Sequence, residues 1–265
     1  MEQFSIGRVL SRSSGMLRDN LASVGLFMLI IQIVSSGAEF LAQGQLPDLM
    51  PGGGTGASTG VSAGLQMFSS AWYWVALVIN LLAGSLGWAG SVHGYLRSAQ
   101  NQETTLRECF EFGLSKMIPV LVLTVLWWLG VALGFVLITV PGVILITMWS
   151  VAIPVLIGED KGLLESFGRS RDLSRGHRWA IFGLLLLVLI VFYIAFAVIL
   201  AAFVGGSAFA KLDMLNNLNP LAMIGSALVS WAIAMFLSAL LSALYIELVE
   251  VNEGGRTGQL SDVFV

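Results

Sequence analysis

The residues able to do chemistry are few and scattered. The chain has one cysteine, Cys109, and two histidines, His93 and His177. A lone cysteine forms no intrachain disulfide, and histidines so far apart make no metal-spacing motif. No metal, cofactor or nucleophile–base pair is expected. One segment does concentrate charge: Gly162–Trp179, GLLESFGRSRDLSRGHRW, which carries Arg169, Arg171, Arg175, His177 and Arg178. Guanidinium groups fork onto phosphate oxygens, and each basic residue beside an anionic leaflet adds roughly 1 kcal/mol of attraction. The segment is therefore a candidate site for a phospholipid headgroup or a partner protein. It also reads as a topology-setting cluster with internal ion pairs, such as Asp172 with Arg169 or Arg175. Glu247 is the expected ion-pair partner of Arg175 or Arg178.

The composition fixes what must position these groups. The chain is 57% hydrophobic and only 11% charged, with a mean hydropathy of +0.87, whereas a soluble domain is about 25% charged. Its outer surface must be largely lipid-facing. The net charge of −3 points to no nucleic acid. Six windows hold the roughly 20 apolar residues a spanning helix needs: Leu21–Leu41, Ser70–Val92, Ile118–Val140, Val143–Gly158, Trp179–Val204 and Leu221–Ile246. The fourth is short and carries Pro154. The N-terminal MEQFSIGRVLSRSSG has no apolar core followed by a cleavage site, so the first span is expected to serve as the insertion signal.

Placement of Lys and Arg gives the topology. Arg8, Arg12, Arg18, Arg97, Arg107, Lys116, Lys161, Arg169, Arg171, Arg175, Arg178 and Arg256 fall on one side if all six windows span, and only Lys211 falls on the other. That side is expected to be cytoplasmic and to hold both termini. Without the fourth span, the basic residues after it would share a side with the Gly-rich connection 44–67, so the charges favour a full span. Residues 140–142, Val-Pro-Gly, read as a tight turn between the third and fourth spans.

The connections on the charged side are amphipathic. At 100° per residue, Ile6, Val9, Leu10, Met16, Leu17 and Leu21 fall within an arc of about 140°, opposite Arg8, Arg12 and Arg18. In 105–117, Leu106, Cys109, Phe110, Leu114 and Met117 oppose Arg107, Glu108 and Glu111, and Thr105 with Glu108 makes a capping box. In 162–178 the apolar side is Leu163, Leu164, Phe167 and Leu173, while Ser166, Ser170 and Ser174 form a small-residue row. The fold class is thus an all-α polytopic bundle of about six spans in three hairpins. An interfacial helix precedes each hairpin: 4–20 before 21–92, 105–117 before 118–158, and 162–178 before 179–246. A short tail, 247–265, follows. Such helices lie in the headgroup plane, apolar face down.

Polar groups inside the spans are sparse. Gln32 and Asn80 sit mid-span and suit bonds between helices, and Glu39 lies near an end. Ala222, Ser226, Ser230, Ala234, Ser238 and Ser242 make a row at four-residue spacing, fit for close helix packing within the bundle or along a homo-oligomer seam.

FSIGRVLSRS at the start, VPGVILITMWSVAIPVLIGEDKGLLESFGRSRDLSRGHRWAIFGLLLL in the middle and YIELVEVNEGG near the end resemble the YciC-like bacterial inner-membrane proteins. That group is allied to the membrane domain found with some glycerophosphodiester phosphodiesterases. The most specific part is Pro141 to Phe182. The resemblance implies a six-helix membrane domain without an established activity; the soluble catalytic barrel of the allied enzymes has no counterpart here. Where relatives tend to carry an arginine after Tyr-x-Glu-Leu, this chain has Val249. The expectation is a non-enzymatic, multi-pass inner-membrane protein that organises anionic phospholipid or serves as an accessory subunit. The alternative is a transporter or flippase for an apolar or amphiphilic solute.

Overall fold

A computed structural model describes residues 4–44, 71–137, 139–204 and 220–262 of the chain. Among them there are helices and no strand. In chain order these are α1 (Ile6–Asp19), α2 (Leu26–Gly44), α3 (Ala71–Ala99), α4 (Leu106–Leu137), α5 (Thr139–Met148), α6 (Ala152–Gly158), α7 (Leu163–Leu173), α8 (Arg178–Val204) and α9 (Pro220–Asp262). Five stretches are long and apolar enough to cross a bilayer: Leu21–Leu41, Ala71–Ala99, Leu106–Val136, Val140–Gly158 and Ile224–Gly254. The pair Leu163–Leu173 and Arg178–Ile194, bent by 99°, makes a sixth if counted as one span. The chain is a membrane-spanning all-α bundle. The Gly-rich connection and the loop with Lys211 lie outside the described residues.

Four local expectations change. The segment 105–117 is not a separate interfacial helix: α4 runs unbroken from Leu106 to Leu137 with Pro119 inside it. The capping box forms, with the Thr105 N–H donating to Glu108 Oε2 at 3.1 Å and the Glu108 N–H to Thr105 Oγ1 at 3.3 Å. Proline at 119 removes one bond to the carbonyl four residues back, and the helix continues through it. Second, the Val-Pro-Gly turn is absorbed into α5. Pro141 sits in that helix's first turn, where a missing N–H has no bond to lose. Third, the fourth span is interrupted at Trp149–Val151, three to five residues before Pro154. The ring of Pro154 disfavours the α conformation and crowds the Ser150 carbonyl. Fourth, the expected tail is helical: α9 continues to Asp262.

The other two interfacial helices are separate elements. Between α1 and α2 the backbone breaks at Asn20 and passes through a π-helical stretch, Leu21–Gly25. Asn20 is buried, and its Nδ2 donates to the Met16 carbonyl at 3.0 Å and to Ser98 Oγ at 2.7 Å. Trp231 Nε1 donates to the Gly25 carbonyl at 2.9 Å, using an acceptor within that stretch.

Helix α3 lies at the centre, packed on α2, α4, α6 and α9. Its sequence allows this because one face is small: Ala83, Gly87, Gly90, Ser91 and Gly94. The tightest approach is at Gly90, where an added Cβ would lie 2.5 Å from the Cys109 carbonyl oxygen and 2.6 Å from the Phe27 ring. A backbone oxygen cannot rotate aside, so Gly90→Ala must push α3 and α4 apart. At Gly183, by contrast, an added Cβ meets nothing within 4 Å. We expect Gly90→Ala to lower stability by about 1–3 kcal/mol and Gly183→Ala to be neutral, measured by thermal unfolding in one detergent.

Candidate functional site

The charged end of the molecule is organised by three glutamates on α9. Glu247, Glu250 and Glu253 recur every three residues in YIELVEVNEGG, so they form neighbouring rungs of a stripe that winds slowly around the helix. Glu247 is 1% exposed. It accepts the Ser5 N–H at 3.2 Å and Arg8 Nε at 2.9 Å on Oε1, with Arg8 Nη2 at 2.7 Å and Arg12 Nη1 at 4.0 Å. Glu250 takes Arg12 Nη2 at 3.0 Å. Glu253 takes Arg169 of α7. One helix thereby holds both α1 and α7 by their arginines.

This corrects the expected pairing of Glu247 with Arg175 or Arg178. Helix α1 seats its apolar face on the bundle, with Val9 and Met16 buried. That seat brings Arg8 and Arg12 over the end of α9 before the arginines of the α7–α8 corner can reach it. It also changes the expected placement of α1, whose apolar face is turned to protein instead of lipid.

Helix α7 is held differently. Ser166, Ser170 and Ser174 are fully buried, so its small face is turned to the bundle. Ser170 Oγ donates to the Met148 carbonyl at 2.9 Å, an acceptor freed by the interruption at 149–151, where Ala152 N–H bonds Trp149 instead. Asn252 Nδ2 donates to the Leu173 carbonyl at 3.1 Å, closing the end of α7 from α9. The chain leaves α7 through Gly176 at φ +83, a left-handed conformation that suits glycine, and turns into α8.

Around Arg169 the charges interlock. Its Nε lies 3.0 and 3.1 Å from the two oxygens of Glu159. Lys161 pairs with the same carboxylate, and Tyr245 OH donates to it at 3.3 Å. Asp160 pairs with Lys116 of α4, so the α6–α7 connection is fixed on both flanks. Burial works to raise the pKa of Glu159, but hydrogen bonds from Lys161 and Arg169, with their charges, outweigh it and hold the carboxyl below its usual range.

The five basic candidates therefore do not form one site. Arg169 is consumed by Glu159 and Glu253. Arg171 is exposed and makes no ion pair among the described residues. Arg175 lies 3.7 Å from Asp172, both more than 60% exposed, an arrangement that contributes little. The His177 ring lies 5.6 Å from that of Phe4. Arg178 is partly buried, with its Nε shielded and without a hydrogen-bond partner.

The helix-packing row divides in two. Ser238 and Ser242 are fully buried, Ala234 is half-buried, and Ser226 and Ser230 are exposed; the surroundings of Ala222 lie outside the described residues. Gln32 and Asn80 bond within their own helices, to Ser36 Oγ at 3.2 Å and the Ala76 carbonyl at 3.0 Å. Among the described residues no group of His, Cys, Asp and Glu converges as a metal site would require. Comparison with protein-family models, with curated proteins and with solved structures finds no match.

Two outcomes follow from these geometries. Replacing Arg8 and Arg12 by Gln leaves Glu247 buried without a counter-charge and is expected to cost about 3–5 kcal/mol. Adding Glu247→Leu to that variant should recover most of the loss, as read by thermal unfolding. For Glu159, a folded-state pKa below the unfolded one means its stabilisation is present above the unfolded value, about 4.3. It is lost as pH falls through the lower, folded value. Glu159→Gln should then be less stable than the wild type at pH 6, with the gap closing as the pH is lowered towards 3.

Proposed function

We propose that this chain is a non-enzymatic, YciC-like protein of a bacterial inner membrane, with its charged end cytoplasmic and α7 serving as an in-plane platform that gathers anionic phospholipid. The single observation that carries this is the orientation of α7. It is bent 99° away from α8, its serine face is sealed against the bundle, and Leu164 and Trp179 stand 78% and 86% exposed. A helix lying across the direction of a span with a leucine outward, followed by an outward tryptophan at the start of α8, matches the geometry of interfacial anchoring. Arg171 and Arg175 are then the headgroup contacts. They are exposed and lack a strong internal partner, unlike Arg169. The concentration of Lys and Arg at this end supports the cytoplasmic placement. An accessory role within a larger membrane assembly uses the same surface.

The transporter reading has less support. Ser238 and Ser242, which would line a pathway through the bundle, are packed without exposure, and Asn80 is satisfied by its own helix.

The test is lipid retention. In nanodiscs of mixed anionic and zwitterionic phospholipid at low salt, native mass spectrometry of the wild type should show anionic lipid retained above its bulk proportion. Two basic residues at roughly 1 kcal/mol each correspond to about a thirtyfold loss of affinity, so Arg171→Gln with Arg175→Gln should abolish the enrichment. Arg107→Gln, at an exposed pair with Glu111, should not. Equal retention by all three proteins would remove the lipid-gathering role.

A further inference from the structure

Arg178 opens α8, immediately before the apolar run 179–204. Its Nε is shut off from water without a hydrogen-bond partner, and no carboxylate among the described residues pairs with its guanidinium. A guanidinium is always charged, and a charged donor removed from water costs free energy until an acceptor meets it. Arg169 has met that demand with Glu159 and Glu253. Arg178 has not.

Its surroundings add positive charge and offer no anion. Helix α8 has no acid in its first turn, and the N–H groups of Arg178, Trp179 and Ala180 have no backbone acceptor among the described residues. Those groups carry the positive end of the helix dipole, which disfavours a cation beside it. The nearest acid in sequence, Asp172, lies beside Arg175, and Glu247 is taken by Arg8.

The neighbouring side chains fix the level at which this charge sits. Trp179 is 86% exposed and meets Phe182 edge to face, while Ile181 and Leu184 are buried in the bundle. An outward tryptophan followed by an unbroken apolar run marks the boundary between headgroups and hydrocarbon. Arg178 therefore lies at the depth of the phospholipid phosphates.

We infer that the start of α8 is a seat for the phosphate group of one phospholipid, with Arg178 as the residue that recognises it. A phosphate has oxygens enough to accept from the guanidinium and from the open N–H groups of α8 together. Its negative charge offsets the arginine and the helix dipole at once. The seat rests on the interfacial placement of α7 proposed above but differs in kind from that platform. Arg171 and Arg175 attract net negative charge, whereas Arg178 holds a phosphodiester, so a zwitterionic phospholipid is accepted as well.

A zwitterionic probe separates the two. Short-chain phosphatidylcholine titrated into the full chain in a phosphate-free detergent should give one retained lipid per chain by native mass spectrometry. Diacylglycerol of the same chain length, which lacks the phosphate, should not be retained. Arg178→Gln should weaken retention about ten- to hundredfold. Arg178→Lys keeps the charge, and with it the topology signal, but lacks the Nε donor, and should weaken retention about tenfold. Arg171→Gln with Arg175→Gln should bind the probe as the wild type does. Wild-type affinity in either Arg178 variant overturns the seat, and so does equal retention of diacylglycerol. Loss of the probe in the Arg171 and Arg175 variant also overturns it, leaving only the platform. Inorganic phosphate that binds the wild type, fails to bind Arg178→Gln and is not displaced by phosphatidylcholine overturns the headgroup assignment and gives the site to free phosphate.

Discussion

The charged end depends on one buried carboxylate. Glu247 is almost completely removed from water, and an ionised group in that position is tolerated only with opposite charge and hydrogen bonds around it. The guanidinium of Arg8, the more distant one of Arg12 and the Ser5 N–H supply both. Because Arg8 and Arg12 belong to α1, the helix that begins the fold must dock on the helix that ends it before that carboxylate is satisfied. The contact joins residues 239 apart in sequence. Glu250 and Glu253 extend the same logic outward along α9, and Glu253 brings in α7. A bundle of apolar spans has little to fix how its helices are rotated, since lipid contacts are nearly as good as protein contacts for an aliphatic side chain. Charge at one end supplies that specification here.

A second constraint couples the α5–α6 interruption to α7. Pro154 makes a continuous fourth span unfavourable, and the broken turn leaves the Met148 carbonyl without its helical donor. Within a membrane protein such a group must be met internally. Ser170 meets it from α7, whose inward face is small at Ser166, Ser170 and Ser174 and so lets the helix come close. Seen this way, the proline and the serine row are one device: the break creates an acceptor and the row delivers a donor. The same burial of serine leaves Leu164 and Arg171 facing away from the bundle, which gives the helix its amphipathic exposure.

Much of the architecture was legible in the sequence because apolar length and charge placement are direct consequences of bilayer thickness and solvation. The spans and the amphipathic character of 6–19 and 163–173 follow from periodicity, and the Thr105–Glu108 box follows from local spacing. What was not legible depended on contacts between distant segments. Glu247 was correctly marked as needing an arginine, but three arginine-bearing segments lie near the same interface, and only the docking of α1 decides among them. Reading 247–265 as a short tail passed over a helical signal. The stronger signal was Glu247, Glu250 and Glu253 at helical spacing around the buried Leu248. The five basic candidates in 162–178 looked equivalent as a run of charge. The separation of a clamped Arg169 from an exposed Arg171 follows from their angular positions on a helix whose rotation is set by its serines, and Arg175 is exposed in the turn that follows it.

The two ends of the bundle are thus built on opposite principles. At the charged end, ion pairs and capping side chains tie α1, α4, α7 and α9 into one arrangement, and the small row of α9 is packed shut at Ser238 and Ser242. Toward the other end, α2 and α9 diverge, and the same small-residue row emerges exposed at Ser226 and Ser230. Packing therefore tightens where charge fixes rotation and loosens where only apolar contacts remain. In hydrocarbon, a loosened helix pair has two uses for its free faces: lipid or another helix. The physical asymmetry between the ends is one of packing, closed at Ser238 and Ser242 and open at Ser226 and Ser230.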